Sequence, residues 1–283
     1  MLPPPSPWRC CCCRHRRRCQ WTLSATKTYT ANGTFQANLN SLAAVLAANA
    51  SASPAGFATA SVGTLPDQAN GLALCRGDTN ASTCAACLAT AFQHAQQACP
   101  LDKGVTAIED ACVLRFAGTQ FLNFLQPDRW LPREMVPTID MALENVNASG
   151  AWFTAAVNAT YTTLIDSAVA ATNSTRKYFA TAEMAFNPKI YGLAQCTPNL
   201  TPDQCRGCLA VLQSETRMWQ RQKGWRSPSM AAAAVWCSLQ YSVLPVYEGP
   251  AMLQLAAPPE PVPPATLSPA TPESGKGSTL TNE

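Results

Sequence analysis

GLALCRGDTNASTCAACLA, residues Gly71 to Ala89, returns about 120 residues later as GLAQCTPNLTPDQCRGCLA, residues Gly192 to Ala210. Both stretches carry cysteines as C-x8-C-x2-C: Cys75, Cys84 and Cys87, then Cys196, Cys205 and Cys208. The match extends outward. A further cysteine closes each unit, in CVLRF at Cys112 and CSLQY at Cys237, with an apolar residue two positions on and an aromatic four positions on. Upstream, FATA occurs at Phe57 to Ala60 and again at Phe179 to Ala182. Three cysteine positions matching at both intervals, with matching flanks, are not a coincidence of composition. The chain is two copies of one module, and its period is the size of a domain rather than of a solenoid repeat.

Composition bounds the class. With 283 residues and 47% hydrophobic content, each copy is long enough for its own core. Only 13% of residues are charged, about half the usual share, so solubility needs another source of polarity. Asn-x-Ser/Thr acceptors stand at Asn32, Asn49, Asn80, Asn147, Asn158, Asn173 and Asn199, none with proline in the middle, and they are half of all the asparagines. Glycans at these positions would supply that polarity.

The cysteine count points the same way. Setting aside Cys10 to Cys13 leaves ten cysteines, six in the first copy and four in the second, both even as disulfide pairing requires. Stable pairing needs an oxidising compartment, which favours secretion. The competing readings of CxxC are zinc and thiol redox chemistry. Ribbon-type zinc sites place two CxxC knuckles about 15 to 20 residues apart, whereas here more than a hundred separate them. A redox CxxC needs a strand before it and no fixed partner eight residues upstream. Spacing alone leaves fifteen connectivities open for six cysteines.

C-x8-C-x2-C with GLA before it, CLA at its end and a closing C-x-L-[RQ]-aromatic resembles the plant cysteine-rich DUF26 domain, also called the ginkbilobin-2-homologous (Gnk2) or stress-antifungal domain. The resemblance runs from about Cys19 to Tyr247. It implies an α+β fold of two tandem domains, each an antiparallel sheet packed against two helices and stapled by disulfides. Tandem copies are the arrangement in cysteine-rich receptor-like kinase ectodomains, cysteine-rich repeat secretory proteins and plasmodesmata-located proteins. The family pairing, carried onto this sequence, implies Cys75–Cys84 and Cys87–Cys112 in the first copy, and Cys196–Cys205 and Cys208–Cys237 in the second. Cys19 with Cys99 would form a further bridge that the second copy does not have. The resemblance implies an extracellular location, no cofactor, and as partner an extracellular protein or a cell-wall glycan.

Local patterns agree with α+β. Phe35, Leu39, Leu42 and Leu46 lie on one face of a helix over Thr34 to Asn49. A second helix, capped by Asn80 or Ser82, is expected to run to Cys99, where Pro100 stops it. Strands are expected at Phe57–Val62, at Ala69–Cys75, and at Val105–Glu109 continuing into Ala111–Ala117. The second copy gives a helix over Trp152–Ala171, strands at Arg176–Phe186 and Ile190–Cys196, a helix over Thr201–Gln220 and a strand over Ala231–Val243. The expected division is a basic, cysteine-rich segment at 1–18, a first domain at 19–126, a connector at 127–137, a second domain at 138–247 and a proline-rich, unstructured tail at 248–283.

The ends and the catalytic search exclude more than they assign. Residues 1–18 hold no apolar leader segment, although a secreted chain is expected to begin with one. The basic residues of that tip invite a metal, acylation or nucleic-acid reading. A net charge of +3 with no other basic cluster argues against nucleic acid. No stretch reaches 18 apolar residues, so no membrane span is expected. No glycine-rich loop, HRD or DFG sequence is present, and no GxSxG, HExxH or P-loop. His94 has no second ligand near it in sequence. Glu109 and Asp110, being adjacent, would point to opposite faces of a strand. The expectation is a protein without catalysis.

The mannose-binding member of the resembled family uses an Asn after its first cysteine, an Arg six residues before the closing cysteine and a Glu five after it. Gln20, Thr106 and Ala117 occupy those positions in the first copy, and Ala231 and Ser242 the last two in the second. Neither copy keeps the set. Two readings follow: an apoplastic interaction module in plant stress or defence signalling, or an antifungal carbohydrate-binding lectin. A third, a cytosolic thiol or zinc protein, would be excluded by intact bridges in non-reducing mass spectrometry. Trp130, Trp219 and Trp225 are candidates for a partner surface or for core.

Overall fold

The computed structural model describes residues 9–10, 21–24, 27–122, 136–138, 145–172, 175–223 and 226–260. Cys19, Gln20, Trp130, Asn173 and Trp225 lie outside them. In chain order the elements are β1 (Arg9–Cys10), β2 (Trp21–Ser24), α1 (Thr34–Ala52), β3 (Phe57–Val62), β4 (Ala69–Cys75), α2 (Ala81–Ala98), β5 (Gly104–Ile108) and β6 (Cys112–Ala117). The second copy supplies β7 (Val136–Thr138), α3 (Gly150–Ala170), β8 (Phe179–Ala185), β9 (Ile190–Cys196), α4 (Pro202–Lys223), β10 (Ser229–Ala233), β11 (Cys237–Ser242) and β12 (Leu253–Ala256). The fold is α+β.

The first sheet is ordered β1-β2-β5-β6-β4-β3 and the second β12-β8-β9-β11-β10-β7. Written in the opposite direction, the second repeats the first: β7, β10, β11, β9 and β8 stand where β2, β5, β6, β4 and β3 stand. The one extra strand is at opposite ends, with β1 beside β2 in the first sheet and β12 beside β8 in the second.

Three of the four helices, α2, α3 and α4, start at a side-chain cap; α1 starts at Gly33 without one. Asn80 caps α2 by accepting from the Thr83 amide at 2.9 Å, and Ser149 caps α3 by accepting from the Trp152 amide at 3.2 Å. Thr201 and Gln204 form a reciprocal capping box ahead of α4, at 3.2 and 2.9 Å, with Pro202 as its first helical residue. The face read from α1, Phe35, Leu39, Leu42 and Leu46, is buried against β3 and β4.

The repeated motif now has a physical basis. The glycine of GLA is where a helix crosses its strand closely. A Cβ on Gly71 would sit 2.6 Å from Leu46 Cδ1, and one on Gly192 would sit 2.6 Å from Leu164 Cδ1. Cys75 and Cys112 are direct cross-strand partners, as are Cys196 and Cys237. The x2 spacing puts the other two cysteines of each copy three apart on one helix face above that pair. S–S bonds join Cys75 to Cys84, Cys87 to Cys112, Cys196 to Cys205 and Cys208 to Cys237. One helix is thereby fastened to two adjacent strands in each copy.

Four expectations need correction. Val105 to Ala117 is not one continuing strand but the hairpin β5–β6, reversing at Glu109 to Ala111. Ala231 to Val243 is likewise the hairpin β10–β11, reversing over Ala234, Val235 and Trp236, which are buried at 3, 7 and 6% exposure. Those turn residues are set by packing rather than by local turn chemistry, so no glycine or asparagine marks the reversal. Thirdly, β2 and β7 were not foreseen, and β7 overlaps the end of the expected connector. Fourthly, the tail is not unstructured from residue 248. Leu253–Ala256 pairs in parallel with Ala182–Ala185, because Leu-Gln-Leu alternates and Leu253 and Leu255 pack on the second core.

The two cores differ in how they fill space. The first is built on small residues around Leu39, Leu42 and Leu46, and buries Cys99 at the end of α2. The position matching Cys99 in α4 is Gln220, 1% exposed, whose Nε2 donates to the Tyr241 hydroxyl at 3.0 Å. That hydroxyl in turn donates to the Ser227 carbonyl at 2.8 Å. The second copy has a buried polar chain where the first has a cysteine, with the Phe153 and Tyr161 rings packed on Tyr241.

Candidate interaction surface

The sheet faces turned away from the helices bring the two copies together. On β4, Gly71 and Ala73 face α1, so Leu72 must point the other way. It is fully buried and belongs to the second copy's core cluster, with Trp236 of the β10–β11 hairpin. Phe121, just beyond β6, sits 6.3 Å from the Trp236 ring, and the Arg115 guanidinium lies 4.9 Å above Phe121.

A second line of contact runs from the β4–α2 loop. Gln195, 4% exposed, donates its Nε2 to the Cys75 carbonyl at 3.0 Å. Gly77 lies flat against the Phe179 ring. Arg76 holds Asp78 with two hydrogen bonds, at 2.6 and 3.0 Å, and donates to the Asp110 carbonyl at 3.1 Å. Asp78 also accepts the Glu248 amide at 2.6 Å, tying in the segment before β12. Asp78 is thus held from both copies. A polar cleft of about 60 Å³ opens on this seam, lined by Ser53, Arg76, Asn80, Arg176, Lys177 and Gln195 among others. It has room for a few waters. Its Lys177 ammonium is engaged by the Pro198 carbonyl at 2.8 Å and lies over Tyr178.

Three of the expected sugar positions, Thr106, Ala117 and Ser242, are buried. Thr106 is 1% exposed and its hydroxyl accepts from Arg115 at 2.8 Å. Ala117 is 5% exposed, while the Asn70 amide reaches its carbonyl at 3.4 Å. In the second copy Ala231 is half-buried and Ser242 is buried. Of the tryptophans, Trp219 is half-buried against the second core. Among the sequons, Asn32, Asn49, Asn80, Asn147 and Asn199 are exposed. Asn158 is half-buried and accepts from Arg217 Nε at 2.9 Å between α3 and α4.

His94 meets an acid after all. Its Nδ1 is 3.0 Å from Glu109 Oε1 at the β5–β6 turn, and burial raises the Glu109 carboxyl above its ordinary value of 4.5, with the His94 contact acting against that rise. The sequence marks Phe179 only as the start of the repeated FATA and assigns Gln195 no role. The signal for Gln195 was there, since GLALC and GLAQC differ only at Leu74 and Gln195.

A family model described as "Salt stress response/antifungal" matches residues 18–119 and again 142–243. The chain belongs to this family. A cysteine-rich receptor-like protein kinase of Oryza sativa subsp. japonica is 39% identical over 81% of the chain, and a second from the same plant is 41% identical over 81%. The chain spans about a third of the length of each, 32% and 35%. A cysteine-rich repeat secretory protein of Arabidopsis thaliana is 32% identical over 64% of the chain and 68% of its own length. The tandem DUF26 ectodomain of the Arabidopsis thaliana cysteine-rich receptor-like protein PDLP8 has the same fold. Its TM-score is 0.60 at 19% identity, covering 78% of this chain and 96% of that one. The modules of this family are extracellular, in secretory proteins and in receptor ectodomains. Among the described residues, no helix is long and apolar enough to cross a membrane.

Proposed function

We propose that the chain is a non-catalytic extracellular interaction module of plant stress or defence signalling, whose ligand is another extracellular protein. The observation that carries this reading is the fate of the sugar-contact positions. Thr106 and Ala117 lack the required charges and are buried on the sheet face that carries Leu72, and Thr106 is engaged by Arg115. Ser242 in the second copy is buried as well. A mannose ring needs several exposed, directed polar groups, and these positions offer none. What the molecule presents instead is a joined pair of sheets with long edges and exposed sequons that would carry glycans.

The second reading, a carbohydrate-binding antifungal lectin, has in its favour only the polar seam cleft and the family's description. Titration of the intact secreted chain on a glycan array, with mannan as competitor, separates the two. No saturable mannose signal is expected, while binding to members of a panel of extracellular receptor ectodomains is. Saturable, mannan-competed binding would overturn the proposal.

A further inference from the structure

The two copies differ at one sheet edge in a way that points to a docking site. β3 and β8 are the same element twice. Both begin with FATA, and both pair antiparallel with the GLA strand in the same register, Ala60 opposite Gly71 and Ala182 opposite Gly192. In the second copy the outer side of β8 carries β12, with Leu253 beside Ala182 and Leu255 beside Met184. In the first copy, among the described residues, β3 pairs only with β4.

Burial registers the difference residue by residue. Ala182 and Met184 are 0 and 1% exposed, whereas their counterparts Ala60 and Val62 are only half-buried. Thr181 is 2% exposed and its hydroxyl accepts the Met252 amide at 3.0 Å, whereas Thr59 is exposed. Natural edge strands are usually protected by lysine, proline, a bulge or a cover. Phe57–Val62, FATASV, carries no charge and no proline. Among the described residues no strand pairs with its outward N–H and C=O groups, which leaves them as a template.

We infer that β3 is a docking edge for an extended segment of a partner protein, added in parallel and carrying apolar side chains at alternate positions as Leu253 and Leu255 do. Main-chain hydrogen bonds would supply the affinity, and the half-buried Ala60 and Val62 the apolar contact that selects the sequence. The occupant's chemistry is argued from the strand already seated on the duplicate edge. This deepens the proposed function, on which it rests.

The probe is the capped peptide of residues 249–258, GPAMLQLAAP, added to the intact, disulfide-bonded chain. Saturable binding is expected, with new hydrogen-exchange protection at Phe57–Val62. N-methylating the peptide at alternate amides should give one version, at 253 and 255 or at 254 and 256, that binds at least about tenfold more weakly, while the other is tolerated. That asymmetry is specific to strand pairing and does not depend on refolding a protein variant. Protection gained only at Phe179–Ala185, equal effects of both N-methyl patterns, or no binding at millimolar peptide would overturn the inference. Concentration-dependent dimerisation protecting Phe57–Val62 would assign the edge to a second copy and overturn it also. A protein ligand found elsewhere on the surface, with β3 silent, would sink the edge reading and leave the interaction module standing.

Discussion

The seam between the two copies makes a sharp prediction at Gly77. A Cβ placed there would lie 2.4 Å from Phe179 Cγ and 2.7 and 2.8 Å from the two Cδ atoms, against about 3.4 Å for an ordinary contact. Gly77→Ala therefore demands a displacement of about 1 Å between the β4–α2 loop and the ring. Phe179 is 1% exposed and packed with Leu193 and Tyr247, so it cannot swing out of the way. The loop is held too, by the Arg76–Asp78 ion pair and the Gln195 bond to the Cys75 carbonyl. Overpacking of this kind costs about 1 to 3 kcal/mol. If the copies unfold as one unit, that lowers Tm by about 2 to 12 °C, read by scanning calorimetry with the disulfides intact. If the substitution is instead relieved by parting the copies, the single transition should split in two, with increased exchange at the Cys75 and Gln195 segments. An unchanged Tm with a single unchanged transition would refute the claim that Gly77 and Phe179 form a tight seam.

Three further predictions address the interior and the edges. Tyr241→Phe removes a hydroxyl whose phenol burial pushes up to about 12 and which serves both Gln220 and Ser227. Leaving a buried donor and acceptor unpaired should cost about 2 to 3 kcal/mol in urea denaturation, and adding Gln220→Leu should recover part of it; additive losses would argue against the coupled chain. Glu109 has a raised folded value, so its stabilising contribution is complete below the ordinary value of 4.5 and is lost as pH rises through the raised one. Stability measured between about pH 4 and 7 should therefore fall with pH in this respect, and Glu109→Gln should remove that component; an identical slope in the variant would refute the assignment. Leu255→Asp should release β12, with loss of exchange protection at Phe179–Ala185 while the Cys196–Cys205 and Cys208–Cys237 bonds persist in non-reducing mass spectrometry. Retained protection there would mean that β12 contributes nothing to that edge.

What the sequence made legible follows from where the governing forces are local. The helix read over Thr34 to Asn49, which runs on to Ala52, was readable because its buried positions repeat at three and four, and α2 because Asn80 and Pro100 bracket it. Duplication was readable because the cysteine spacing is imposed by a fixed geometry, a helix face above a cross-strand pair, that tolerates no insertion. The hairpin at Ala234 to Trp236 was not readable. It turns without glycine, proline or asparagine because its residues are buried among their neighbours, and a single sequence carries no mark of that partner. Gln195 is marked in the sequence by its difference from Leu74, but its partner, a carbonyl 120 residues away, is not.

The tail strand is the more instructive miss, because its signal was present and was outweighed. Prolines on both sides of Leu253–Ala256 pulled the whole segment toward an extended linker, although Leu-Gln-Leu alternates as a half-buried strand does. Proline and strand are compatible here because β12 is four residues long, sits at a sheet edge and ends before Pro258, whose carbonyl instead accepts the Trp152 indole N–H at 2.9 Å. The consequence bears on function. Duplication gave both copies the same acceptor strand, and Leu253–Ala256 of the tail covers the second. Among the described residues the second copy's edge is closed by β12 and the first copy's is not, and it is this asymmetry between otherwise equivalent sheets, rather than any residue of the cysteine motif, that singles out one face of the molecule for recognition.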